Sequence, residues 1–331
     1  MYNNTLWNFI FNDFRYNCSV FSQSEIYNES AKSFYLGFFE LVLSTTYIII
    51  YLPFIIAMAH PNHIKLPVYK LLFFLGIIDM VNLLISGTVT GIYTLNGTHY
   101  CQFPTITFVL GCIALGIWIA TDLAVTLLLI SRIMDALYPD VAEIFFKGYR
   151  TLLWIFSIFV VLIYTTFFSP PVIFIPTYYS WFFNPYISSK YVTDIGNIYH
   201  TINNFFIFGS QFTLYIMIVF VFFSSGSGHS SSAKKLAIRL FIQCAFICFL
   251  TLTTSGLYLC MMFLDIQPWV SMLGNTFWMS VHGFSGIIFL ALNNSLKNTI
   301  KSWFGKKKVN QITNLNSTNS KAKPITTVQP K

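Results

Sequence analysis

The stretch GIIDMVNLLISGTVTG, residues 76 to 91, sets a carboxylate among Ile, Met, Val and Leu. Asp79, Asn82, Ser86 and Thr90 follow one another in steps of three and four, which places them on one helical face. Further polar residues recur at helical spacing in other apolar runs: Asn275 and His282; His200, Asn204 and Gln211; and Asp122, with Arg132 at that run's end. Three readings leave such a trace: a satisfied core carboxylate, a proton or ion site, and a device that packs helices together. Enzyme chemistry finds no support, since HExxH, GxSxG and P-loop patterns are absent. His60 and His63 have no third ligand nearby, and the six cysteines fit no zinc spacing, so neither a metal nor a cofactor is expected.

Positioning these residues falls to unusually apolar elements. The chain of 331 residues is 55% hydrophobic and only 9% charged. Soluble domains are nearer a quarter charged, so this composition cannot cover a large water-facing surface. A bilayer core needs a helix of roughly 20 apolar residues. Seven runs qualify: Leu36–Ala59, Tyr69–Thr94, Phe103–Ser131, Thr151–Ile173, Ile198–Phe223, Leu240–Leu264 and Ser271–Leu292. The fold class expected is an all-α membrane protein, a bundle of seven transmembrane helices. The polar first 33 residues show no basic segment leading into an apolar one, so no cleaved signal peptide is expected.

Charge orients the bundle. With the N-terminus outside and the C-terminus inside, 16 Lys and Arg residues fall on the cytoplasmic side and three outside: Arg15, Lys32 and Lys190. The net charge of +8 therefore reflects topology and contact with anionic membrane lipid, not nucleic-acid binding. The sequons at Asn3, Asn17, Asn28 and Asn96 fall outside in this arrangement and are candidate glycosylation sites. Cys18 and Cys101 fall on the oxidising side, and a bridge between them would tie the N-terminal segment over the third run. Cys112, Cys244 and Cys248 lie within spans as packing residues.

Four segments follow from this: an extracellular stretch over 1–35, the seven-helix domain over 36–292, an interfacial amphipathic helix over 293–308 and a disordered cytoplasmic tail over 309–331. In the third, Leu296, Ile300, Trp303 and Phe304 share one face, with Lys297 and Lys301 beside it. SSGSGHSSSAKK, residues 224 to 235, reads as a flexible inner linker, and TYYSWFFNPY, residues 177 to 186, as an aromatic belt at the interface.

A charge at mid-membrane costs about 2.5–3.5 kcal/mol on insertion scales, so Asp79, about 15 Å along its helix, must face the bundle interior. Asp79, Asn82, Asn275 and His282 form the expected central network. Whether it switches the bundle or only holds it together stays open on the residues alone.

Short strings add a family likeness. YNCS at Tyr16–Ser19, the LPF of the first run, YKLLFFLGIIDM, YCQFPT, YHTINN at Tyr199–Asn204 and HGFSGIIFLALNN together resemble the serpentine receptor class T family of nematode chemoreceptors. The resemblance covers the whole chain outside the tail. It implies a G-protein-coupled receptor for a small, odorant-like molecule, partnered by a heterotrimeric G protein, in the plasma membrane of sensory cells. Arg132 matches the arginine that ends span three and meets G protein in rhodopsin-like receptors. Ser131 stands where those receptors usually carry an acid, and Ser285 and Phe289 stand where the family commonly has proline and tyrosine. The rival readings are a seven-helix ligand-gated cation channel, which would have the opposite topology, and a receptor-like accessory protein. A secondary transporter would need inverted repeats, and none is visible.

Overall fold

The computed structural model describes residues 16–185, 196–224, 231–263 and 267–304. Seven long helices dominate these residues: α2 (Phe34–Met58), the pair α4 (Pro67–Leu83) and α5 (Thr90–Asn96), α6 (Pro104–Leu137), α8 (Arg150–Phe168), α9 (Ile198–Ser224), α10 (Ser231–Phe263) and α11 (Pro268–Leu292). Shorter helices accompany them: α1 (Gln23–Glu29), α3 (Pro61–Ile64), α7 (Pro139–Phe146) and α12 (Asn294–Phe304). Of the long helices, α2, the α4–α5 pair, α6, α8 and α11 are long and apolar enough to cross a membrane. Among the described residues, α10 contributes the apolar stretch Phe246–Met261.

Local chemistry sets the ends. Ser22 and Glu25 close a capping box on α1, and the Ser33 hydroxyl accepts from the Leu36 amide at the start of α2. Proline begins α4, α6, α7 and α11, where its missing N–H costs nothing. Three helices depart from the apolar runs, α6 by continuing past Ser131 to Leu137. The fourth stops at Phe168 rather than Ile173, because Ser169-Pro170-Pro171 cannot continue it. The sixth begins at Ser231, so the expected linker over 224–235 is partly helical; residues 225–230 lie outside the described residues.

The segment Leu84–Val89 between α4 and α5 winds as a π-helix. One extra residue per turn widens the helix there and frees carbonyls for other partners. The Thr90 hydroxyl takes one, donating to the Ile85 carbonyl at 2.8 Å.

Helix α6 runs through the centre and α8 along the edge: 78% and 22% of their most apolar windows are buried. A core built from Leu75, Ile117, Ala124, Ile158, Ile247 and Ile288 joins α4, α6, α8, α10 and α11. Outward faces carry Ile49, Leu52, Phe156, Val160, Phe205 and Phe212. Glu40, Asp79, Asn82, Asp122, Asn275 and His282 are turned inward instead, as lipid demands of a spanning bundle.

At one end of the bundle, strands β1 (Ile173–Ile175) and β2 (Ser180–Phe182) form an antiparallel hairpin with Phe174 opposite Trp181. All six of its residues are buried. The aromatic stretch read as an interfacial belt is thus, over Ser180–Phe182, packed inside the protein: residues 174 and 181 are 0% and 5% exposed. Gly111 of α6 permits this, since a Cβ there would sit 1.7 Å from the Val172 carbonyl oxygen. Cys18 and Cys101 form the expected disulfide at the same end, with Cα atoms 5.5 Å apart. Tyr16, Tyr100, Phe108, Ile173 and Phe182 cluster beside it. At the far end, the α12 residue Leu296 is fully buried against Phe54, Met58 and Phe289. The face expected to lie wholly in the interface is therefore shared: Leu296 and Ile300 pack on the bundle, while Trp303 and Phe304 are exposed.

Candidate functional site

The Asp79 carboxylate lies between α2, α4 and α11. Nδ1 of His282 donates to its Oδ1 at 2.8 Å, and the Tyr51 hydroxyl donates to its Oδ2 at 3.1 Å. All three residues are essentially without solvent exposure. Each carboxylate oxygen thus has a hydrogen-bond partner, as a buried polar group requires. The approach of α2 to α11 depends on Gly286, where a Cβ would fall 2.7 Å from that of Tyr51.

Asn275 belongs to an adjoining cluster. Its Nδ2 donates to Glu40 Oε1 at 3.0 Å and to the Ser86 carbonyl, within the π-helix, at 3.3 Å. Of the four residues expected to form one network, Asp79 and His282 meet directly, and Asn275 joins Glu40. Asn82 is buried one turn from Asp79 with neither amide atom paired among the described residues. Sequence reasoning missed Glu40 and Tyr51. Glu40 carried a readable signal, a lone acid in the apolar run FFELVL, the same criterion that singled out Asp79.

Toward the hairpin end lies a cavity of about 250 Å³. Its wall includes Trp118 of α6, Trp181 of β2, His200 of α9, Tyr258 of α10 and Trp278 of α11. The Trp118 ring also stands edge-on to His282, with centroids 6.4 Å apart. Trp118 and then His282 thus lead from the cavity to the Asp79 carboxylate. The Trp118 indole N–H donates to Asn204 Oδ1 at 3.2 Å, and the Asn204 amide meets His200 Nε2 at 3.2 Å. The expected polar face of the fifth helix, His200, Asn204 and Gln211, therefore points inward at two levels: Gln211 accepts from the Thr251 hydroxyl. Asp122 is held by Asn203 Nδ2 at 2.5 Å, a partner not foreseen.

Arg132 lies near the far end of α6. Its guanidinium pairs with Asp135 at 2.7 Å, one turn later, and its Nε donates to Ser131 Oγ at 3.4 Å. The acid absent at position 131 is supplied from the same helix. There His63, of the sequence's histidine pair, contacts Thr299 of α12 at 2.8 Å. Burial and then the nearby His60 lower its proton affinity. No grouping of metal-binding side chains occurs among the described residues.

Near the disulfide, His99 is buried and its pKa is pushed down to about 4 by that burial. Its Nδ1 accepts from the Cys101 amide at 3.1 Å, so the proton sits on Nε2, which donates to Glu29 at 3.3 Å. Asn17, Asn28 and Asn96 are exposed at this end; Asn3 lies outside the described residues. Cys112 and Cys248 are buried thiols, as expected; the side chain of Cys244 lies outside the described set.

No individual curated protein matches the chain. The family model described as serpentine type 7TM GPCR chemoreceptor Srt matches residues 1–313. A match over nearly the whole length, on a bundle of apolar helices with a polar interior, leaves one conclusion: the chain belongs to the serpentine receptor class T family of chemoreceptors.

Proposed function

We propose that the protein is a plasma-membrane receptor of sensory cells, with seven helices crossing the bilayer, the hairpin end outside and α12 inside. A small, odorant-like molecule occupies the cavity behind the hairpin. Binding shifts a two-state equilibrium, and the inner end of the bundle admits a heterotrimeric G protein at Arg132. The observation that carries the reading is Trp118, which lines the cavity and also touches His282, the partner of Asp79. A ligand pressing on Trp118 acts on the Asp79–His282 bond through one side chain, which links α6 to α4 and α11. The lysine and arginine distribution supports the orientation.

The test is a ligand panel applied to cells expressing the chain with several G-protein reporters, beside the Trp118→Ala variant. An agonist response that needs Trp118 sustains the reading. A response unaffected by Trp118→Ala removes the link, and an N-terminal tag detected only after permeabilisation removes the topology.

A further inference from the structure

The polar groups of the cavity wall specify what they would accept. No Asp, Glu, Lys or Arg lines the cavity among the described residues. Several wall donors are already engaged. The Trp118 indole N–H is held by Asn204, and that of Trp181 donates to the Thr90 hydroxyl at 2.9 Å. Asn197 donates to Ser169 Oγ and the Pro170 carbonyl, at 2.7 and 2.9 Å.

His200 remains. Because Trp118 can only donate, the oxygen of the Asn204 amide must face it, and the Asn204 nitrogen then donates to His200 Nε2. His200 is therefore the tautomer with its proton on Nδ1, and Nδ1–H is a spare donor. The Trp278 indole N–H is buried without a partner among the described residues, in a residue 5% exposed, and the Tyr258 hydroxyl, which faces the cavity, makes no hydrogen bond among them. All three spare groups can donate, and two of them can do nothing else.

We propose that the cavity binds a neutral, mainly apolar molecule of about eight non-hydrogen atoms carrying one carbonyl-type oxygen, which accepts hydrogen bonds from Tyr258 and His200, and that it discriminates against amines. The size follows from the cavity of about 250 Å³ at roughly 30 Å³ per water-sized group. The apolar remainder of the molecule meets Ala114, Leu115, Val172 and Met261. An acceptor oxygen gives these donors a partner, whereas an alkane does not. An ammonium group would put its own N–H donors against wall donors, with no carboxylate lining the cavity among the described residues. Aromatic faces do attract cations, which is the rival the experiment separates.

This proposal rests on the receptor reading for its biological meaning, but its test measures binding alone. The full-length chain in lipid nanodiscs is titrated with cyclohexanone, methylcyclohexane and cyclohexylamine, three molecules of one size, while tryptophan fluorescence is followed. Cyclohexanone is expected to bind about 3- to 10-fold more tightly than methylcyclohexane, the value of one net neutral hydrogen bond. Tyr258→Phe should abolish that advantage and leave methylcyclohexane unchanged. His200→Phe removes the other donor and makes the same comparison if the first variant does not fold. Tightest binding by the amine, equal binding of ketone and alkane, or no binding by any of the three overturns the proposal. A chain that ignores all three yet answers another compound in the G-protein reporter keeps the receptor reading and loses this one. Ketone binding with no reporter output for any compound does the reverse.

Discussion

Asp79→Asn is the most informative single change, because it removes charge while keeping shape. The asparagine oxygen still accepts from the Tyr51 hydroxyl, now 3.1 Å from Asp79 Oδ2. What is lost is the charge-assisted bond to His282 Nδ1, now 2.8 Å long. Hydrogen bonds to charged groups contribute about 1.5–3 kcal/mol net. If the bond exists in one conformation and not in the other, the conformational equilibrium shifts by roughly 10- to 150-fold, away from the state described here. The assay compares basal and agonist-driven reporter output with wild type at matched surface expression. A shift of at least about tenfold in basal output or agonist potency is expected. Should both be unchanged in a variant that reaches the surface, the carboxylate serves packing alone, and the switch is refuted. A thermal-stability loss without a signalling change would point the same way.

Three further outcomes test the surroundings. Gly111→Ala must displace the Val172 carbonyl, which lies 1.7 Å from the new Cβ position; a loss of about 1–3 kcal/mol in stability is expected, and wild-type thermal stability would contradict the hairpin placement. Replacing Cys18 and Cys101 together with serine removes a cross-link between residues 83 apart in sequence, at a cost typically of about 2–4 kcal/mol; unaltered unfolding under reducing and oxidising conditions alike would show the bridge to be idle. His99, held at about 4 against an ordinary 6.5, binds its proton less readily folded than unfolded. Its stabilising effect is complete above pH 6.5 and is lost as pH falls toward 4. Stability measured across that window should fall more steeply in wild type than in His99→Gln, and parallel profiles would refute the assignment.

The sequence alone determined the helices, their polar interior and the bridge between Cys18 and Cys101. Each depends on a local property: apolar run length against bilayer thickness, the 3.6-residue period that set Asp79, Asn82, Ser86 and Thr90 on one face, and the placing of two cysteines on one side. It also held signals that apolar counting overran, such as the Ser169-Pro170-Pro171 stop and the solitary Glu40. Tertiary structure alone decided partners. His282 lies 203 residues from Asp79, and periodicity fixes which face a side chain occupies without saying which helix that face meets. The same holds for Asn275, which turned to Glu40, and for Asn203 on Asp122. Burial of Trp181 could not be read from composition, because an aromatic run has the same residues whether it lines a membrane interface or folds back into a bundle. Only packing against Gly111 and Thr90 separated the two.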